Sequence, residues 1–569
     1  VPLPISSRDS TEGKRVTMHV ESRWTKPPKQ SGGRDHLGVQ APAMSIYGRL
    51  LPGITNVTDR ARYYSFYPWL IWALEQDGHK QYNDDFVDSF RKADCLFTLI
   101  ASSHEREVNH DHAAHTAATV GSSSLYQPAV DLEAGGTLEL SAYALLGESP
   151  SRYFKNKLGG LGQYYLGVLS ELGILNGDSR NGVQYTKPYG VEIARAMDEG
   201  VDRERFLSVV RANQVNDDDL KALSDFCPCS LAGNRSEREI LRQLFFVRDQ
   251  YFSEEALPRR RTLQVVAYLH DLCTRNGLEL TQEAFRGLVY AGALPDQTAL
   301  GLPGYLAHTV QRWRFYAEQE LLSLATQGLF YAILDAYEES GLRLSSVSRI
   351  VDWYLAQPEV RDAIDALDGA TTFTGILGVV RSSLPSVSDW RNKNHEHSLA
   401  ESILSLSKER KQVRNRSEIV ATCIRVICAL IVRSESRDET PFQGLAFPND
   451  YLSHQYPINL VSLSEHVSDT WQTLDVTDWL GWLFNQWGIS THLRVALRKL
   501  RAQNQSTFQL RPDEYSYTVI GVPEPTHTTP RFAQATRILK DVVALLPDDD
   551  GHWRMSEFGE SMLAVDDAG

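Results

Sequence analysis

Residues 51–72, LPGITNVTDRARYYSFYPWLIW, crowd six aromatic side chains, two arginines and an aspartate into one proline-bounded turn and helix start. So dense a mixture of rings and guanidinium groups suits the organising centre of a fold or a recognition surface, and a filler loop has no use for it. Within it Asp59 is placed to cap a helix starting at Arg60, since its carboxylate accepts first-turn amides. Arg60 and Arg62 would then grip a phosphate or a partner's carboxylate in forked geometry. Tyr63, Tyr64, Tyr67, Trp69 and Trp72 would stack bases or fill a protein interface. The alternative is that the arginines anchor the N-terminal loop and the rings build the core.

Elsewhere apolar residues recur three or four apart, over residues 66–74, 86–102, 239–251, 263–273, 310–337, 397–410, 417–432 and 477–500. That is the period of an amphipathic helix. Strand-like alternation is confined to short runs at 508–510 and 515–520. The pattern predicts a mainly α, multi-domain helical protein with two winged-helix-like modules, at residues 159–194 and 530–563. Each reads as an amphipathic helix, a tight polar hairpin and a last helix, capped by Thr186 or Ser556. A DNA reader needs Arg, Asn, Gln or Lys on its recognition helix. Gly162, Gln163, Tyr164 and Tyr165 open the first candidate helix, whereas Arg531, Gln534 and Arg537 line the second. The acidic tip at 548–550 would repel a phosphate backbone.

Shifts in composition divide the chain into an N-terminal arm (1–40, with an edge strand possible at 16–20), an aromatic-rich helical domain (41–200), a helical middle domain (201–435) and a C-terminal domain (436–569). Linkers are expected at 196–219, 360–369 (with a place inside a helical region as the alternative), 434–455 and 504–529. The balance of 58 basic against 72 acidic residues, net −14, argues against sequence-blind coating of DNA, which depends on many phosphate contacts. It leaves room for a local basic groove. No apolar run is long enough to span a bilayer, so no membrane partner is expected. Six cysteines without regular spacing, and an N-terminus without an apolar leader, predict a reducing, cytoplasmic setting.

Two basic strips are candidates for nucleic-acid contact: Lys408, Lys411 and Arg414, interleaved with Glu401, Glu409 and Glu418, and Arg494 with Arg498, joined by Arg531 and Arg537. A histidine-rich stretch, His104, His110, His112 and His115, offers weak metal candidates in His110, His112 and His115, because zinc accepts imidazole and carboxylate ligands. Its spacing matches no established signature, and surface histidines are the alternative. Cys227-Pro-Cys229 lacks the second cysteine pair of a zinc knuckle and reads as partly buried thiols. His270-Asp271 is too short to define a phosphohydrolase. Pro258-Arg-Arg-Arg261 reads as a solvated helix start. Signatures of phosphate-binding loops, dinucleotide sites and hydrolase elbows are missing, so neither catalytic residues nor a cofactor are expected.

The pattern PGITNxTDRARYYSFY at 52–67, with Gly121-Ser122, resembles a group of large uncharacterised bacterial proteins encoded beside helicase or nuclease genes in phage-defence loci. That resemblance carries over no catalytic residue. It implies a non-catalytic scaffold or adaptor subunit working with a protein partner such as a helicase or nuclease. The alternatives are a nucleic-acid binder using winged-helix modules and arginine strips, and a metal-dependent hydrolase using the 104–115 histidines.

Overall fold

The computed structural model describes residues 29–30, 35–80, 83–108, 112–147, 151–178, 182–187, 189–435, 442, 444–445, 447, 450–503 and 505–567. Most of the expected arm, the possible strand at 16–20, much of 434–455 and His110 lie outside these residues. Within them the protein is mainly α-helical, with strands only in short two-stranded pairings. No described helix is long and apolar enough to cross a membrane. One continuous set of buried apolar residues reaches from Leu37 to Met562, passing through all three expected helical domains.

The Tyr63–Gln76 helix lies at the heart of the first third, with every residue from 63 to 71 buried. A helix apolar all round belongs inside a fold. Its rings pack on one another and on the Asp84–Val108 helix, with Tyr63 5.0 Å from Phe97 and 4.9 Å from Tyr165 between ring centres. Their polar tips are matched: Tyr63 Oη accepts from the Val120 amide at 2.7 Å, and Tyr67 and Trp69 donate to Asp94 (3.1 Å) and Asp198 (2.9 Å). Burial pushes the Asp94 carboxyl up to about 6. The aromatic block is core.

The Gly304–Ser340 helix organises the middle of the chain against the Val413–Ser434 helix. Gly328 permits this approach, since a Cβ there would lie 2.6 Å from Cys423 Sγ and 2.9 Å from Ile403. Two expected linkers are regular structure. Residues 196–219 hold the Arg203–Ala212 helix, started by an Asp202 cap and followed by an Asn216 capping box, and 360–369 fall largely within the Pro358–Asp365 helix. Over 196–219 capping by Asp and Asn outweighed the polar composition that suggested a loop. The helix over 358–365 is instead opened by Pro358 and follows the alternative that this stretch lies inside a helical region.

Both helix–hairpin–helix segments are present and share local geometry. In the first, Leu175–Asp178 pairs antiparallel with Gly182–Tyr185; in the second, Leu545–Pro547 pairs with Trp553–Met555. Thr186 Oγ1 donates to Gly173 O and accepts from the Gly190 amide at 3.0 Å. Ser556 Oγ repeats this with Val543 O and the Gly559 amide at 3.1 Å. The glycines are required: a Cβ at Gly190 or Gly559 would come within 2.3 or 2.5 Å of the Ile174 or Ala544 carbonyl, just before each hairpin's first strand.

A partly buried ionic triad ties the 522–529 loop to the middle helices. His527 lies 3.2 Å from Glu320 and 3.0 Å from Glu401, with Thr528 also bonded to Glu320 and with Arg286 and His397 nearby. Burial alone would lower the His527 pKa, but the two carboxylates raise it above the ordinary value. A raised folded-state pKa contributes stability that is complete below the unfolded value and is lost as pH climbs through the folded one. The urea midpoint is therefore expected to fall on going from about pH 6 to about pH 9. The His527→Gln variant should show a shallower decline, and an equal slope in both proteins would refute the assignment.

Candidate metal centre

Four side chains from three separated stretches converge beside the aromatic core: His104, His115, Cys227 and Cys229, whose ligand atoms all lie within 4.8 Å of one another. His104 projects from the last turns of the Asp84–Val108 helix. His115 sits in the turns at 112–118, closed by an Ala117 amide to His112 carbonyl bond of 2.7 Å. Pro228 places the cysteines. The residue before a proline favours extended backbone, and Cys227 adopts φ −58°, ψ 139°, while Pro228 opens the 3-10 turn Pro228–Ala232 that carries Cys229.

Three contacts within the cluster are short enough for one ion to bridge. His115 Nδ1 is 3.1 Å from Cys227 Sγ, His104 Nδ1 is 3.4 Å from Cys229 Sγ, and the two sulfurs are 3.5 Å apart. Zinc bonds of about 2.3 Å to sulfur and about 2.0 Å to nitrogen place tetrahedral ligand atoms about 3.3–3.8 Å from one another. Cys227 and His115 are buried, Cys229 and His104 half-buried. The Cys229 thiol is held well below its usual range, first by its hydrogen bond to Cys227 and also by His115 and His104, whereas burial pushes Cys227 up. A thiolate and imidazoles in contact are the donor set zinc prefers.

The two arginines of the opening motif hold the loops that carry the ligands. Arg60, fully buried, donates to the carbonyls of Ala113, Ala114, His115 and Ala117 at 2.8–3.3 Å and pairs with both oxygens of Asp541 at 3.1 Å. Arg62, equally buried, reaches the carbonyls of Asp225 and Cys227 at 2.5 Å and forks onto Glu237 at 3.0 and 3.2 Å. Glu105, next to His104, accepts from both the amide and the hydroxyl of Thr116, next to His115. Such outer-layer contacts orient ligands and tune their basicity.

Asp59, Arg60, Arg62, Tyr63, Tyr64 and Trp69 are thus interior residues with partners inside the chain, not an exposed recognition surface. Asp59 does not cap the helix, which starts at Tyr63 with no side-chain cap; it pairs with Arg537 instead. Arg531 bonds Leu51 O at 2.9 Å and lies over the Tyr47 ring. Arg259 is buried against the carbonyls of Leu244, Phe245 and Pro52, so residues 258–261 are not a solvated start. Lys408, Lys411 and Arg414 are exposed, but their strip faces acids: Lys411 lies 3.6 Å from Glu338, and Arg410 and Arg416 pair with Asp335. Arg494 is exposed and Arg498 half-buried over Tyr456, and together with Arg501 they line one shallow groove.

Of the expected metal ligands, His115 belongs to the cluster and His112 does not. His112 is largely exposed and bonds Glu105 and Thr116, while His110 lies outside the described residues. Cys227 and Cys229 are the candidate ligands that spacing rules missed, because the histidines beside them lie 112 and 125 residues upstream.

A cleft of about 700 Å³ opens beside the centre. Ala113, Ala114 and Cys229 line it together with Lys540, His552 and Trp553 of the C-terminal module. At the hairpin tip Asp548, half-buried, clusters with the exposed Asp550 and His552. Compared with known proteins, the chain matches no family model, no curated protein and no solved structure.

Proposed function

We propose that this is a zinc-dependent protein in which His104, His115, Cys227 and Cys229 bind one metal ion. The observation that carries the reading is the convergence of two imidazoles and two thiols within 4.8 Å of one another, with a buried arginine behind each loop that carries them. Four protein ligands fill a zinc shell, and filled shells stabilise folds. The ion would fasten the Asp84–Val108 helix to the 224–232 turns. An adaptor working beside a helicase or nuclease, as the resemblance implies, is compatible with such a centre. Nucleic-acid binding by winged-helix modules has less behind it, since Arg531 and Arg537 are used internally.

A second reading, metal-assisted hydrolysis, is favoured by the cleft. Cys229 is half-buried and lies on the cleft wall. If water replaced one of the half-buried ligands, three protein ligands and an activated water would remain, the arrangement of catalytic zinc. Cobalt substitution separates the two readings. A closed shell predicts an intense tetrahedral visible spectrum with thiolate charge-transfer bands that added azide leaves unchanged. A spectrum that shifts with azide identifies an open position and the hydrolytic reading. Failure to bind cobalt or zinc contradicts both.

A further inference from the structure

The most consequential contact outside the ligand set is the double use of Arg60. Its guanidinium holds the loop bearing His115 through four carbonyls, and it also holds Asp541, the last residue of the Phe532–Asp541 helix. Asp541 accepts in addition from the Ala61 amide at 2.9 Å. Three further contacts join the same parts. The Pro228–Ala232 turn packs on the Phe532–Asp541 helix, and Arg537 of that helix pairs with Asp59. Arg242, on the helix that supplies Glu237, donates to Val542 O at 2.9 Å. The loops bearing the candidate ligands and the C-terminal module therefore share one buried cation and together line the cleft.

We propose that Arg60 is a positioning residue that couples the metal centre to the C-terminal module, so that metal occupancy sets how firmly residues 532–563 sit and how wide the cleft stands. The inference rests on the zinc reading. With zinc in place, the 113–117 loop is fixed and offers its carbonyls to Arg60. Without zinc, His115 loses one tether and the loop is left to its Glu105–Thr116 bonds, so the hold of Arg60 on the carbonyls loosens and more of its buried charge falls to Asp541. Coupling of this kind is reciprocal: whatever zinc does for the seating of the module, a seated module does for zinc.

Hydrogen exchange on the full chain, zinc-loaded and after chelation, tests this. Amides of residues 532–547 are expected to exchange about tenfold faster after chelation, with those of the Gly304–Ser340 helix unchanged. A competition titration of the Asp541→Asn variant is expected to show zinc affinity lower by a similar factor, although Asp541 touches no ligand. If that variant does not fold, exchange in the unaltered chain decides. Zinc leaving without effect on 532–547 overturns the coupling and leaves the zinc reading intact. Acceleration that spreads equally through the 304–340 helix shows a global staple and overturns the coupling too. A chain that takes up no zinc overturns both.

Discussion

Replacing Cys227 with alanine is expected to abolish stoichiometric zinc and to cost at least about 4 kcal/mol of stability. A ligand present at about a thousand times its dissociation constant stabilises the folded state by that amount, and structural zinc sites are often tighter. Cys227 is the sharpest choice, because its side chain is fully buried, its carbonyl is held by Arg62 and its backbone is preset by Pro228. Alanine removes the sulfur and leaves those backbone contacts in place. Metal content and the urea midpoint, measured on the same preparations, check the result. Retention of one zinc per chain by Cys227→Ala would remove it from the ligand set. By contrast, His112→Ala should keep its metal, since His112 stands outside the cluster and is mostly exposed.

The second large effect is expected at Arg62. Arg62 and Glu237 are both fully buried and joined by two hydrogen bonds. Breaking such a pair by removing one partner costs about 3–5 kcal/mol, because the other charge stays buried and uncompensated. Arg62→Met should therefore destabilise by that order and also weaken zinc binding, since the Asp225 and Cys227 carbonyls lose their donor. Glu237→Gln combined with Arg62→Met removes the stranded charge and should recover part of the stability while leaving zinc binding weak. Chemical denaturation and zinc competition separate the two consequences. A stability loss below about 1 kcal/mol for Arg62→Met would show that the pair is not buried as described.

How far all this could be read from the chain depends on the range of the interactions. Helices such as Arg235–Phe245 were legible because burial on one face writes a period into neighbouring residues. Gly304–Ser340 and Val413–Ser434, buried nearly all round in their central stretches, were legible because apolar residues are dense there. Both hairpins were legible from their Gly- and Asp-rich turns and from the Thr186 and Ser556 caps, which are local. Convergence of His104 and His115 on Cys227 and Cys229 was not, because no local rule joins segments about a hundred residues apart. Cys-x-Cys read as an incomplete site for the same reason. The opening motif was legible as an organising centre but not in its direction. A guanidinium that grips a phosphate and one that grips four backbone carbonyls look alike in sequence, and what turned Arg60 and Arg62 inward was the distant Asp541 and Glu237.

The central claim, that two imidazoles and two thiolates hold one zinc ion, is tested most directly by X-ray absorption at the zinc edge of the purified full-length chain. The account predicts one zinc per chain, with two sulfur neighbours at about 2.3 Å and two nitrogen neighbours at about 2.0 Å. Zinc bound only by nitrogen and oxygen, or no zinc after reconstitution under reducing conditions, would contradict it.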